Sequence, residues 1–250
     1  MKRKYLFLLM AAALVMGFAA CSEDEFTVDG LKYKVTSESP KTVELTGYDG
    51  EKPTGALEIP ATVKGYGVTS IGYNAFSSCE ELTSVTIPEG VTSIGEDAFA
   101  YCVGLTSITL SDNLKYIGEA AFYYCIGLPT VSIPASVTSI DNLVFAECYN
   151  LTSVTIPDGV TRIRQGTFRN CSALTSFIIP ANVTNIQSFA FEGCTNITDV
   201  YCYADLETLI WEGPYVGFNP YETKFHVKGD IAAWKAKFRT PKVIFVGDLN

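Results

Sequence analysis

The segment LTSVTIPEGVTSIGEDAFAYCVG, residues 82–104, is followed directly by a near copy of itself, LTSITLSDNLKYIGEAAFYYCIG, residues 105–127. Further copies follow at the same spacing of 23 residues, and an earlier, longer copy occupies residues 54–81. A fixed period of this length is typical of a solenoid, in which each repeat stacks on its neighbour. The 23-residue units begin at Leu82, Leu105, Leu128, Leu151, Leu174 and Ile197.

Three kinds of side chain return at fixed positions of the repeat. Such columns place identical residues in register, and no single repeat can bury its apolar face alone. The sequence therefore predicts one continuous core shared by all repeats. The columns are Phe76, Phe99, Phe122, Phe145, Phe168 and Phe191; Ile71, Ile94, Ile117, Ile140, Ile163 and Ile186; and Cys79, Cys102, Cys125, Cys148, Cys171 and Cys194.

The local pattern predicts how each repeat is built. In LTSVTIP, residues 82–88, apolar and polar residues alternate, and the β-branched content favours a short strand. Pro88 ends that strand because it has no N–H to donate. The following VTSIGEDAFAYC, residues 91–102, is interpreted as an extended turn and then one short helical turn. Strands from successive repeats are expected to form a parallel sheet.

These residues resemble the BspA-type, or treponemal, bacterial leucine-rich repeat, with its pattern L-x-x-(V/I)-x-(I/L)-P, V-x-x-I-G and A-F-x-x-C. The resemblance covers residues 57 to about 202 and departs from the pattern only at turn positions. It implies a right-handed leucine-rich repeat solenoid with a parallel β-sheet on its concave face, short turns or helical turns on its convex face, and caps at both ends. The departures are Asp141, Arg164 and Gln187 in place of Gly, and Ser111 in place of Pro.

Both flanks of the repeats have patterns suited to capping, which an open solenoid end requires. Residues 31–56 alternate around a polar break and predict an N-terminal capping hairpin. Residues 203–250 are expected to form a C-terminal cap, in which a strand, a helix and a second strand follow one another. Asp230 is a suitable N-cap for that helix, and Ile231, Trp234 and Phe238 share one helical face.

The first 20 residues have the pattern of an export signal. Lys2, Arg3 and Lys4 precede an apolar run that falls short of the roughly 20 residues a membrane span needs. Ala19, Ala20 and Cys21 resemble a bacterial lipobox, which implies lipid attachment at Cys21; cleavage by an ordinary signal peptidase near Ala20 is the alternative. Residues 21–30 are expected to be an acidic tether. The SEDEF within them resembles the acidic tag that sends some lipoproteins to the outer face of the outer membrane; the alternative is a charge run that serves only as a solvated tether.

Charge excludes some partners. The chain carries a net charge of −9, and removal of residues 1–20 would change it to −12. Such a protein repels nucleic acid and anionic headgroups, so membrane contact is expected through the lipid anchor alone. A multiply acylated cysteine is a sufficient anchor, whereas one acyl chain binds only marginally.

The cysteines and the single histidine do not form a pattern typical of a catalytic site. The cysteine column is expected to hold free, buried thiols, although neighbours about 5 Å apart could just reach disulfide range. A single histidine, His226, leaves no partner set for zinc or for a Cys/His or Ser/His nucleophile, and it is interpreted as structural. No catalytic residue, metal site or cofactor is therefore predicted.

What remains is the outward side of each predicted strand. It forms two ladders of hydroxyls that could bind a protein or glycan, or that merely suit an exposed strand. Through the family resemblance, the leading hypothesis is a non-catalytic surface lipoprotein that binds proteins or adheres to host macromolecules; the alternative is a glycan-binding accessory lipoprotein for nutrient capture. The predicted concave face comprises Ser84, Thr86, Ser107, Thr109, Thr130, Ser132, Ser153, Thr155, Ser176, Ile178 and Tyr201, with Asp199 beside them.

Overall fold

The computed structural model describes residues 24–212, 223–238 and 244–249. In these ranges the chain forms twenty strands and one helix, α1, at Ile231–Phe238. The strands are β1 Glu25–Val28, β2 Leu31–Glu38, β3 Lys41–Tyr48, β4 Gly55–Glu58, β5 Thr62–Val63, β6 Tyr66–Ile71, β7 Leu82–Thr86, β8 Ser93–Ile94, β9 Ser107–Thr109, β10 Tyr116–Ile117, β11 Thr130–Val131, β12 Ser139–Ile140, β13 Ser153–Val154, β14 Arg162–Ile163, β15 Ser176–Ile179, β16 Asn185–Ile186, β17 Asp199–Cys202, β18 Ile210–Trp211, β19 Lys224–Lys228 and β20 Ile244–Leu249.

The strands that open each repeat stack in parallel and confirm the predicted solenoid. We call this stack the first ladder: β4, β7 and β9 pair in parallel, as do β11 with β13, and β15, β17, β19 and β20. Equivalent residues are partners, as in Val85 with Ile108 and Val131 with Val154. The pairing is interrupted before β11, where Pro129 has no N–H to donate, unlike Thr106, whose N–H donates to the Thr83 carbonyl at 2.9 Å.

A second ladder runs through the segments that were interpreted as extended turns. Two-residue strands at the isoleucine column pair in parallel, with Ile71, Ile94, Ile117 and Ile140 as successive partners in β6, β8, β10 and β12. Strands β14, β16 and β18 continue it. The predicted helical turn is wrong: within the described repeats the chain returns through non-helical turns. Those turns are joined between repeats by backbone bonds such as Phe99 N–H to the Ala121 carbonyl at 2.8 Å.

The core lies between the two ladders and the turns. The phenylalanine column is fully buried, and its neighbouring rings stack at centroid distances from 5.4 Å for Phe76 and Phe99 to 5.8 Å for Phe145 and Phe168. The isoleucine and cysteine columns are buried beside it. One hydrophobic cluster therefore runs through every repeat, as the columns predict.

The N-terminal hairpin joins the second ladder. Strands β2 and β3 pair antiparallel, and β3 then pairs in parallel with β6. Strand β1 lies inside residues 21–30, which corrects the prediction of an acidic tether over that whole segment. Its acidic residue Glu25 is exposed, but the Phe26 ring stacks on Tyr33 at 5.7 Å, so apolar alternation holds the segment on the sheet.

The C-terminal segment extends the first ladder. Strand β19 pairs in parallel with β17, and β20 pairs in parallel with β19. Helix α1 begins after Asp230, whose carboxylate accepts a hydrogen bond from the Ala232 N–H at 2.8 Å. Trp234 is buried, and its ring stacks on Phe238 at 5.5 Å and contacts Phe245 of β20. The helix thus covers apolar surface next to the last strands.

Candidate interaction surface

The outward side chains of the first ladder form a regular polar surface. We call it the hydroxyl face. Its members are exposed except for the half-buried Ser84, and partners in the register include Ser84 with Ser107 and Thr130 with Ser153. The hydroxyl face comprises Ser84, Thr86, Ser107, Thr109, Thr130, Ser132, Ser153, Thr155 and Ser176.

These hydroxyls are available to a partner. None of them takes part in a hydrogen bond with another residue in the described part of the chain. The threonines just before these strands behave differently, because Thr106 and Thr152 donate their hydroxyls at 3.0 Å to backbone carbonyls of the preceding repeat. The hydroxyl face therefore presents free donors and acceptors on a rigid backbone.

The same surface becomes apolar and aromatic toward the C-terminal end. Ile178 is 53% exposed and lies in register with the half-buried Tyr201. The Tyr201 ring stacks on His226 of the next strand, with centroids 4.4 Å apart. Ile244 of β20 is also exposed. We call Ile178, Tyr201, His226 and Ile244 the apolar end of the face.

His226 is held between two carboxylates. Its Nε2 lies 2.9 Å from Asp199 Oδ1 and its Nδ1 lies 2.7 Å from Asp248 Oδ2. Burial disfavours the imidazolium, but the hydrogen bonds to Asp199 and Asp248 outweigh it and raise the pKa of His226. The hydrogen bond from His226 lowers the pKa of Asp199. His226 is thus fixed between neighbouring strands and stacked on a tyrosine, with its ring nitrogens already engaged.

A second surface was missed by the sequence analysis. Four tyrosines contact one another on the turns that follow the phenylalanine column: Tyr101 with Tyr123 at 5.3 Å, Tyr101 with Tyr124 at 5.6 Å, and Tyr124 with Tyr149 at 6.0 Å. The available signal was their spacing, since Tyr101 and Tyr124 occupy the same repeat position 23 residues apart. We call these four residues the tyrosine surface.

The cysteine column is joined to the phenylalanine column by hydrogen bonds. Each thiol from Cys102 to Cys194 lies 3.0–3.2 Å from the phenylalanine carbonyl of the preceding repeat, as in Cys194 to Phe168 and Cys102 to Phe76. Burial raises the pKa of Cys102 and Cys148 to about 12. All seven cysteines of the described ranges are free thiols, with Cys202 as the seventh.

The described residues contain no group of three or more His, Cys, Asp or Glu side chains arranged to hold a metal ion. No helix within residues 24–212, 223–238 and 244–249 is both long and apolar enough to cross a bilayer. Residues 1–20 and the predicted lipid attachment site Cys21 lie outside the described residues.

Solved structures similar to this chain include bacterial leucine-rich repeat proteins. The chain is similar to a leucine-rich repeat protein of T. pallidum, with 28% identity, a TM-score of 0.72, and coverage of 87% of this chain and 97% of that one. It is also similar to a leucine-rich repeat protein of Bacteroides ovatus, with 25% identity, a TM-score of 0.58, and coverage of 90% and 67%. Among curated proteins none matches.

The fold and its exposed ladder define the class of protein: a bacterial leucine-rich repeat solenoid. A family model described as the BspA type leucine rich repeat region matches residues 69–198 in six copies. The chain belongs to this family.

Proposed function

We propose that this chain is a non-catalytic surface lipoprotein that uses the first ladder to bind proteins outside the cell. The observation that carries the proposal is the row formed by Ile178, Tyr201 and His226. The equivalent positions of earlier repeats, Thr86 and Thr109, are hydroxyls, whereas here an exposed isoleucine adjoins a stacked aromatic pair. Exposed apolar and aromatic side chains of this kind are favoured at protein interfaces.

The rest of the face supports the same use. The row of unbonded hydroxyls lies beside the apolar end. Protein interfaces commonly combine a hydrophobic centre with a polar rim in this way. The repeat backbone holds both parts rigidly, so little entropy is lost on binding. Host extracellular proteins are the proposed partners, because the family resemblance associates this kind of repeat with adhesion.

The experiment tests binding at the apolar end. The purified full chain, in non-ionic detergent, is passed over a panel of purified host matrix proteins and mucin oligosaccharides. Ile178→Thr restores the hydroxyl found in earlier repeats, and Tyr201→Thr removes the stacked ring. Both should weaken protein binding. Ile210→Thr changes an equally exposed isoleucine of the second ladder and should leave it intact. Equal loss with Ile210→Thr, or no binding to any matrix protein, would refute the proposal.

We further propose that Cys21 is lipidated and anchors the chain at the outer face of the outer membrane. The lipobox-like Ala19, Ala20 and Cys21 and the acidic residues after them support this placement. Cys21→Ser should release the protein from the membrane fraction. Surface exposure is checked by protease treatment of intact cells. Unchanged membrane retention of Cys21→Ser would count against lipid anchoring.

One observation favours a second candidate function, glycan binding. Tyr201 and His226 lie on the first ladder with Asp199 and Asp248, so aromatic rings and carboxylates share one surface. Aromatic rings can contact sugar faces, and carboxylates can accept bonds from sugar hydroxyls. Binding to mucin oligosaccharides that is lost with Tyr201→Thr, without binding to any matrix protein, would establish this candidate in place of the first.

A further inference from the structure

A second exposed surface lies on the turns that follow the phenylalanine column. The tyrosine surface is partly open, with Tyr101 45% exposed and Tyr149 39% exposed. Its edge opens into a depression of about 370 Å³ lined by Tyr101, Tyr123 and three carboxylates, Glu96, Asp97 and Glu119. The aromatic rings and the carboxylates therefore face the same space.

The three carboxylates have no cation of their own. None of Glu96, Asp97 and Glu119 forms an ion pair within residues 24–212, 223–238 and 244–249. Glu119 accepts one hydrogen bond, from the Asn142 amide at 3.2 Å. Burial and the neighbouring Glu119 carboxylate raise the pKa of Asp97, as expected where negative charge is not compensated.

Two cations of the same or adjacent turns are already engaged. Arg169 lies 3.2 Å from Glu147, which also accepts hydrogen bonds from Tyr149 and Asn170. Lys52 donates to the Ser78 carbonyl at 2.8 Å. The negative charge in the depression is thus left for a partner to neutralise.

From this combination we infer that the tyrosine surface and its depression form a docking site for a lysine- or arginine-rich segment of a partner protein. A cationic side chain within about 6 Å of a tyrosine ring is attracted by the π-face, and an adjacent carboxylate adds a charge-assisted hydrogen bond. The net charge of −9 brings such a segment to the surface from a distance. This site is separate from the apolar end of the first ladder and does not depend on the function proposed for it.

The probe is a decalysine peptide, and its matched control is the same peptide with every side chain acetylated. Binding to the full chain in non-ionic detergent is measured by calorimetry at low salt, where surface charges are least screened. Decalysine should bind and the acetylated peptide should not. Absence of decalysine binding would overturn the inference.

Two triple variants distinguish binding at the depression from attraction by the net negative charge of the protein. Glu96→Gln, Asp97→Asn and Glu119→Gln combined should reduce the affinity for decalysine about tenfold, since three charge contacts are lost. Glu58→Gln, Asp158→Asn and Glu207→Gln combined change three exposed acids elsewhere by the same charge. That control should reduce affinity less than about threefold, because more distant surface charges are screened. Equal losses would mean attraction by net charge alone and overturn the inference.

The tyrosine contribution has its own test. Tyr101→Ala should weaken decalysine binding about fivefold, whereas Tyr101→Phe, which keeps the ring, should bind as the unchanged chain does. Urea unfolding of each variant separates lost binding from lost folding. Ile178→Thr should retain full decalysine binding, so failure of the function proposed for the first ladder is distinguishable from failure here. Binding of mucin oligosaccharides that depends on Tyr101, without decalysine binding, would identify a glycan site instead.

Discussion

The thiol of Cys148 lies 3.2 Å from the carbonyl oxygen of Phe122 in the preceding repeat. The same bond recurs between Cys125 and Phe99. Each thiol from Cys102 to Cys194 is buried and donates to the phenylalanine carbonyl of the preceding repeat. The cysteine column is therefore a row of thiol-to-carbonyl contacts that join successive repeats.

Alkylation provides a direct check of this arrangement. In the denatured, unreduced protein, iodoacetamide should label all seven cysteines from Cys79 to Cys202, as counted by mass spectrometry. In the native protein, labelling of Cys148 should be very slow at pH 8, because a pKa of about 12 leaves roughly one thiolate in 10⁴. A reduced, denatured sample is the control. Fewer labels without reductant than with it would show that the column contains disulfides.

The phenylalanine column should carry much of the stability. Phe122 is fully buried between Phe99 and Phe145, so Phe122→Ala opens a cavity and should lower the free energy of unfolding by about 3–5 kcal/mol. Tyr73→Ala truncates an aromatic residue that is mostly exposed and should change stability by no more than about 0.5 kcal/mol. Urea unfolding measures both. A loss below about 1 kcal/mol for Phe122→Ala would contradict the stacked core.

The sequence predicted the core well because each core position is repeated six times. The phenylalanine, isoleucine and cysteine columns all lie where their period placed them, and the first ladder follows the alternation of Leu82, Val85 and Ile87. Six copies of one pattern agree on which positions are apolar, whereas a single short segment would fit either a strand or a helix. Helix α1 was also predictable, because its signals lie within one short stretch of sequence: the N-cap Asp230 and the helical spacing of Trp234 and Phe238.

The features that were missed have physical reasons of their own. The two-residue strands of the second ladder, such as β8, are too short for an alternating pattern to appear in the sequence. Strand β1 was assigned to a tether from its charges, whereas the stacking of Phe26 on Tyr33 decides its structure. The tyrosine surface draws on three different repeat positions, and only one of them carries tyrosine twice, at Tyr101 and Tyr124, so no full column marks it.

Gly95 and Gly118, where the second ladder turns into the loop, lie too close to the backbone of the preceding repeat for a side chain to fit. A Cβ on Gly118 would lie 2.6 Å from the backbone carbonyl carbon of Gly95, and backbone at that position has little room to move. Gly118→Ala should therefore lower the free energy of unfolding by about 1–3 kcal/mol or more. In Gly67→Ala the new Cβ would meet only the Lys41 carbonyl oxygen at 3.8 Å, so stability should be nearly unchanged. Equal urea midpoints for the two variants would contradict the close approach of Gly118 to the Gly95 backbone.

His226 should make the stability of the C-terminal strands depend on pH. Its pKa is raised above the ordinary 6.5 by Asp199 and Asp248, so the folded state binds the proton more tightly than the unfolded chain does. This contribution is fully present below pH 6.5 and is lost as pH rises through the folded-state pKa. As the pH rises from 5.5 to 8.5, the free energy of unfolding, measured by urea titration, should fall more for the unchanged protein than for His226→Gln.

The titration itself can be observed, because His226 is the one histidine in the chain. In a tag-free protein its imidazole protons give a single set of proton NMR signals, and their midpoint should lie above 6.5. Asp248→Asn removes the carboxylate 2.7 Å from Nδ1 and should move the midpoint down, since one of the two bonds that favour the imidazolium loses its charge. Glu207→Gln, an exposed acid outside this cluster, should leave it in place. A midpoint below 6.5 in the unchanged protein would mean that burial outweighs the two carboxylates.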